Sequence, residues 1–389
     1  KMKKICVFIG SRANYASILE TLHKIKLNKK LKLQIVVGAS ALSEKFGNVS
    51  KIIKKDGFNL DGKIYSLIEG ESHIAMAKTI GITLGDSVTI LAKLKPDICL
   101  VVGDRSEVLG FSIACVYLNI KLSHTMGGEL SGTIDESARH SISKLAHIHF
   151  TASSSATRRL LSMGENKKNI YQTGCPRIDR VKSILKNKLA IDKKIRNELK
   201  SGVGEKIINI NNDFILASFH PVTTEADNYL NAEILLKTLI KINIPTIILW
   251  PNADGGSNII SKCYRKYREK KLTKNISFYK NFSFEAYIYL MKKTKLIIGN
   301  SSSGIREASF IGTKCINIGS RQNDRDRGSN VIDIPRLYSV NELFKIIKKN
   351  LNKNNKKISK IYGDGNASKK IINVLIKEKT DLQKKWFEN

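Results

Sequence analysis

Eleven short runs rich in Ile, Val and Leu, separated by longer stretches with helical periodicity, constrain this chain more than any other feature. They cover residues 4–9, 33–37, 98–102, 121–124, 147–152, 170–173, 214–219, 246–250, 276–279, 295–298 and 315–318. Nearly continuous hydrophobicity over four to six residues suits strands buried on both faces, and the amphipathic stretches between them suit crossover helices. The alternation therefore predicts an α/β fold built on doubly wound parallel sheets. At 389 residues the chain exceeds one ordinary core, so two domains are expected. The first six runs form one group ending near Gly174-Cys175-Pro176, and the rest follow the charged stretch 180–206. The expected organisation is a first domain over 1–180, a second over 181–365, and a closing helix over 366–389 that packs back on the first.

Composition narrows the class. With 42% hydrophobic and 26% charged residues and only 6 Pro, the chain is neither disordered, collagen-like nor a disulfide scaffold. Each apolar run is cut short by Lys, Asn, Gly or Asp, so no spanning helix and no membrane partner are expected. The first ten residues lead into a Gly-Ser-Arg turn without a small-residue cleavage site, and the expected location is cytoplasmic. Cys6, Cys99, Cys115, Cys175, Cys263 and Cys315 lie far apart and read as reduced core residues. A net charge of +33 raises nucleic-acid binding first. The lysines, however, are scattered without a stripe, and the 7% of aromatic residues are not interleaved with Arg. The charge is a compositional bias; no nucleic-acid partner is expected, but the positive field attracts a small anionic substrate.

Ligands of open α/β sheets bind beyond the carboxyl ends of strands, so the residues after each run carry the chemistry. They are Gly10-Ser11-Arg12-Ala13-Asn14-Tyr15, Gly103-Asp104-Arg105, Gly127-Gly128-Glu129, His220-Pro221-Val222-Thr223-Thr224, Pro251-Asn252-Ala253-Asp254, Asn300-Ser301-Ser302-Ser303-Gly304 and Ser320-Arg321-Gln322. The strongest signal is the apolar run that turns through Asn300-Ser301-Ser302-Ser303-Gly304 into a helix. Free N–H groups, the helix dipole and the Ser301 and Ser302 hydroxyls make an anion site there, with Glu307 as acceptor for ribose hydroxyls. His220 and Arg321, at other strand ends, add phosphate partners.

Asp104, Glu129 and Asp135 supply carboxylates suited to proton transfer at a sugar carbon. As plain structure, Asp104 would pair with Arg105 or cap a helix, and Asp135 would cap the next one. His147 and His149 alternate along a strand with no third ligand at suitable spacing; they read as core histidines, and no metal is expected. Gly10 lacks the rest of Gly-x-Gly-x-x-Gly, and no Gly-Lys-Ser/Thr loop occurs, so neither a dinucleotide cofactor nor P-loop chemistry is expected.

Taken together, Gly10 to Tyr15, Gly103-Asp104-Arg105, Gly127-Gly128-Glu129 through Arg139-His140, His220 to Thr224, Asn300 to Glu307 and Gly319-Ser320-Arg321-Gln322 resemble the hydrolysing UDP-N-acetylglucosamine 2-epimerases in order and spacing. The resemblance implies a glycosyltransferase-B type fold: two Rossmann-like domains facing across a cleft, with a carboxy-terminal helix crossing back. It implies a nucleotide-sugar substrate and a nucleoside diphosphate product, and a homodimer or homotetramer. Arg12, Ala13, His220, Ser301, Ser302, Glu307 and Arg321 match nucleotide and diphosphate contacts, Arg105 lies beside the catalytic loop, and Asn252 and Asp254 lie near the sugar or nucleotide. Asp104, Glu129 and Asp135 match the acidic residues of proton transfer. The implied reaction is loss of the nucleoside diphosphate from C1 with the C2 proton, then hydration of the glycal at C1 and reprotonation of C2 from the other face. Met126 stands where the sialic acid enzymes carry a carboxylate, so it borders the sugar without moving a proton. Relatives acting on 2,4-diacetamido-trideoxy sugars, and a glycosyltransferase on the same fold, are the alternatives.

Overall fold

The computed structural model describes residues 2–68, 73–131, 135–186, 195–222, 227–251, 256–337, 339–351 and 358–388. They form two compact units, one of Lys1–Leu130, Ile134–Arg180 and Tyr362–Asn389, the other of Ser131–Thr133 and Val181–Ile361.

The first unit holds β1 (Lys3–Ile9), β2 (Leu31–Gly38), β3 (Gly62–Ile64), β4 (Ile98–Val102), β5 (Lys121–Thr125), β6 (Ile148–Thr151) and β7 (Ile170–Gln172). They make one parallel sheet in the order β3-β2-β1-β4-β5-β6-β7. The two-residue period of a strand explains the two cores. Ile5, Val7 and Ile9 of β1 face Ile18, Leu22 and Ile25 of the helix Arg12–Leu27, together with Ile371 and Leu375 of the closing helix. Cys6 and Phe8, one step out of phase, face Leu91, Phe111 and Cys115, and Phe8 stacks on Phe111 with ring centroids 4.5 Å apart.

The second unit holds β8 (Ile215–Ser218), β9 (Thr246–Leu249), β10 (Ile276–Tyr279), β11 (Leu296–Gly299), β12 (Cys315–Ile318) and β13 (Val331–Ile334), again parallel, in the order β10-β9-β8-β11-β12-β13. Ile215 and Ala217 point to one core, Leu216 to the other. The expected doubly wound α/β fold is thus observed in both units. In each, strand order reverses direction between two adjacent strands, β1/β4 in the first and β8/β11 in the second, and such switch points open crevices for ligands.

Four features differ from expectation. β3 and β13 were not anticipated; both are short sheet-edge strands, Gly62-Lys63-Ile64 and Val331-Ile332-Asp333-Ile334, each interrupted by an exposed charged residue, Lys63 or Asp333. The helix expected over 366–389 ends at Lys377. It begins where Asp179 accepts the N–H groups of Ala367 (2.9 Å) and Ser368 (2.7 Å), and ends where the Lys3 ammonium takes the carbonyls of Leu375, Ile376 and Glu378. The chain beyond runs without helix along the same unit: His147 Nε2 meets the Leu382 carbonyl at 2.9 Å, and the Lys384 ammonium donates to the Lys144 and Ala146 carbonyls and to Glu165. Finally, among the described residues one helix is long and apolar enough to cross a membrane, Ile74–Leu94, 21 residues with mean hydropathy 1.3 over its most apolar stretch. Lys78 and Asp86 dilute that stretch without ending the helix. Its Ala75, Thr79, Thr83, Ser87 and Leu91 form a buried stripe, and it packs beside the helix Ser106–Tyr117. All six cysteines are buried and reduced.

Candidate functional site

At the β1/β4 switch point the strand ends are locked to each other. Asn14, buried in the first turn after β1, accepts the Gly10 N–H at 3.3 Å and donates to the Val102 carbonyl at 3.1 Å. Ser11 caps the helix by accepting the Asn14 N–H at 3.2 Å. Arg12 and Ala13 are exposed at that helix start. Behind Gly10 lies the buried carboxylate of Glu107, so close that a Cβ on residue 10 would stand 2.5 Å from its Cγ. Glu107 takes the Arg105 Nε at 2.7 Å. The expected structural partner of Asp104 is therefore engaged elsewhere, because Glu107 two residues on offers a desolvated carboxylate.

Asp104 pairs instead with Arg139, 35 residues later, on the helix Asp135–Leu145. The Arg139 guanidinium is buried, and its second amino group donates to the Glu129 carbonyl at 2.7 Å. Asp135 opens the same helix one turn before Arg139. The three candidate acidic residues are thus tied to one framework: Asp104 by its carboxylate, Glu129 by its backbone, Asp135 by the shared helix. Glu129 is itself buried. A buried histidine braces the group: His124 bonds the Gly103 carbonyl through Nε2 at 2.7 Å and Ser143 Oγ through Nδ1 at 3.1 Å. Burial pushes its pKa down to about 3, so the ring is neutral, donating to the carbonyl and accepting from the hydroxyl. Gly128 has a left-handed backbone (φ 74°), and a Cβ there would lie 2.4 Å from the Ala156 carbonyl oxygen. The glycine is what lets the loop carrying Glu129 pass.

At the β8/β11 switch point, Gly299 has φ 134° and no room for a side chain, since a Cβ would fall 2.0 Å from the Ser218 carbonyl oxygen. Asn300, fully buried, exchanges hydrogen bonds with His220: the His220 N–H donates to its Oδ1 at 2.7 Å, and its Nδ2 donates to the His220 carbonyl at 2.8 Å. Arg321 and Gln322 both donate to the Asn300 carbonyl, at 3.3 and 3.0 Å. His220, Asn300, Arg321 and Gln322 are therefore one hydrogen-bonded cluster, with Ser301 next to it along the chain. Burial, assisted by the Arg321 charge, pushes the His220 pKa down to about 3. Ser301 caps the following turn, with its hydroxyl 2.9 Å from that of Ser303. Ser301 and Ser302 stay half-exposed. The expected single helix after Ser301 is two short pieces, Ser302–Ile305 and Glu307–Ile311, broken at Arg306, and the buried Glu307 opens the second.

Met126 adopts a left-handed backbone (φ 65°) just beyond β5. It lies half-buried against the first unit's core, its sulfur 4.0 Å from that of Cys175. Asn252, Asp254, Thr223 and Thr224 lie outside the described residues. His147 and His149 are buried as expected, His149 on Glu165 at 2.9 Å. Among the described residues no group of three His, Cys, Asp or Glu is placed to hold a metal ion. The sequence reading gave no role to the framework residues Glu107, Arg139 and His124, although Arg139 falls in a stretch that carries the resemblance. Only Arg139 left a usable signal, its four-residue spacing from Asp135 on a helix.

The sequence profile described as UDP-N-acetylglucosamine 2-epimerase matches residues 23–376. A UDP-N,N'-diacetylbacillosamine 2-epimerase (hydrolyzing) of Legionella pneumophila is 33% identical over 375 residues, 96% of this chain and 96% of that protein. A GDP/UDP-N,N'-diacetylbacillosamine 2-epimerase (hydrolyzing) of Campylobacter jejuni is 35% identical, covering 85% of this chain and 84% of its own. Among solved structures, that of a UDP-GlcNAc 2-epimerase from Neisseria meningitidis, bound to UDP-GlcNAc, superposes with a TM-score of 0.80 at 18% identity, over 96% of this chain and all of that one. Its fold is this fold.

Proposed function

The chain belongs to the UDP-N-acetylglucosamine 2-epimerase family, and from that premise we propose that it is a hydrolysing 2-epimerase of a UDP-activated 2-acetamido sugar. The observation that carries the reading is the set of acidic residues Asp104, Glu129 and Asp135 gathered on one framework at a sheet's switch point. In this reading a carboxylate of the first unit removes the C2 proton while the C1–O bond to the diphosphate breaks, leaving a glycal and UDP. Water then adds across the double bond, its oxygen to C1, and a carboxyl group returns a proton to C2 from the opposite face. His220, Ser301, Ser302 and Arg321 hold the diphosphate, where N–H groups and the guanidinium stabilise the leaving charge, and Glu307 accepts ribose hydroxyls. The reading assigns proton transfer to the carboxylates, since both ring nitrogens of His124 are already engaged, by the Gly103 carbonyl and the Ser143 hydroxyl.

The preferred sugar in this proposal is the 2,4-diacetamido-2,4,6-trideoxy type, with UDP as carrier. Two relatives named for diacetylbacillosamine support it, as does the half-exposed Met126 thioether, which suits a 6-methyl group better than a hydroxyl. UDP-N-acetylglucosamine, giving N-acetylmannosamine on a sialic-type route, is the second reading, favoured by the family's own description. Incubation with both UDP-sugars and a GDP counterpart in D2O, with the free sugar read by NMR, tests this. The reading expects a released sugar inverted and deuterated at C2; transfer of the unaltered sugar to an acceptor overturns it.

A further inference from the structure

We propose that Arg139 is the positioning residue of this proton transfer, a fork that sets the Asp104 carboxylate and the Glu129 loop in register with Asp135; the inference rests on the epimerase reading above. Three loops and helices meet at this one side chain. One arm of the guanidinium binds the Asp104 carboxylate after β4, the other the Glu129 carbonyl after β5, and the helix that carries it begins with Asp135. Arg139 is 3% exposed, whereas Asp104 keeps a quarter of its side chain open. The guanidinium thus grips Asp104 from the protein side and leaves its other side for a substrate.

Stability alone accounts poorly for such a choice. Burying a guanidinium carries a desolvation cost that apolar residues of similar volume avoid, and what this one supplies in return is a fixed geometry between two loops. The surroundings also leave Asp104 to Arg139. Arg105 is drawn away by Glu107 at 2.7 Å, and His124, neutral, bonds the Gly103 carbonyl and not the carboxylate. A lysine at 139 would keep the charge but present a point donor that cannot span a carboxylate and a carbonyl in fixed directions.

The test compares Arg139→Gln, Arg139→Lys, Asp104→Asn and the Arg139→Gln/Asp104→Asn double variant for turnover, KM, and stabilisation by UDP. The expected result for Arg139→Gln is a kcat lower by on the order of 100-fold, with KM and the UDP-induced shift in melting temperature unchanged. Arg139→Lys should fold and recover part of the loss while staying at least ~10-fold below wild type. The double variant should be no slower than Asp104→Asn within about threefold, because the two residues act as one unit. Wild-type kcat in Arg139→Gln, a loss confined to KM, or losses that multiply in the double variant overturn the proposal. If Arg139→Gln does not fold, Arg139→Lys decides alone, and wild-type turnover in it is overturning. A wild-type protein that releases no free sugar overturns the epimerase reading itself, an outcome distinct from a working enzyme indifferent to Arg139.

Discussion

Asp104 and Asp135 lie at an accessible edge of the first unit's framework, and each should behave as a chemical group and not as a structural cap. Asp104→Asn and Asp135→Asn are expected to lower kcat by on the order of 10²-fold or more, with circular dichroism and melting unchanged within a few degrees. Wild-type turnover would reduce them to capping and pairing roles. His124 and His220 set a different, acid-side behaviour. Their folded pKa of about 3 lies below the ordinary 6.5, so between those limits the unfolded chain binds protons that the native state refuses. Stability is therefore full above pH 6.5 and falls as pH drops toward 3. Glu165, held at about 2 because bonds from His149 and two lysines outweigh its burial, adds its own loss only below about 4.5. Urea midpoints between pH 6.5 and 4.5 isolate the histidines, and His124→Gln, if folded, should flatten that slope. Asp104 and His220 were legible in sequence because each directly follows a strand. The partner of Asp104 was not, since a contact spanning 35 residues depends on how a helix docks.

Local chain geometry carries the next scale. Gly128→Ala combines a left-handed backbone with a clash against the Ala156 carbonyl, a backbone atom that cannot swing aside. It should cost at least ~1–3 kcal/mol, read as a lower urea midpoint at unchanged m-value. A neutral effect would mean that the loop relocates, and Glu129 with it. Strands were legible wherever both faces are buried, as at β4, β10 and β12, whose bounds follow the apolar runs residue for residue. The edge strands β3 and β13, each interrupted by a charged residue, and the break at Arg306 were not, although the other two edges, β7 and β10, were. An edge needs no apolar run, and nothing in Ser302-Ser303-Gly304-Ile305-Arg306-Glu307 signals where one short helix yields to another.

For the whole molecule, a ligand that binds only the folded state adds stability by mass action. UDP at ~100 times its dissociation constant should contribute about 2.7 kcal/mol to the structure that binds it. A rise of several degrees in melting temperature is expected with UDP, a smaller one with ATP, and no shift with any nucleoside diphosphate at millimolar concentration would remove the anion site from the reading. The parallel α/β class was legible because it is written in periodicity along the chain. The entry of Tyr362–Asn389 into the first unit has a consequence for how the protein is made. The helix Arg12–Leu27 leaves the ribosome with the surface of Ile18 and Leu22 waiting for Ile371 and Leu375, and Thr21 for the hydroxyl of Ser368 at 3.0 Å. The 343 residues between Leu27 and Ile371, the second unit among them, are translated in between, which takes on the order of 20–70 s. Throughout that interval the apolar face of the helix Arg12–Leu27 stays uncovered on the nascent chain, so the first unit closes only after the second has been synthesised.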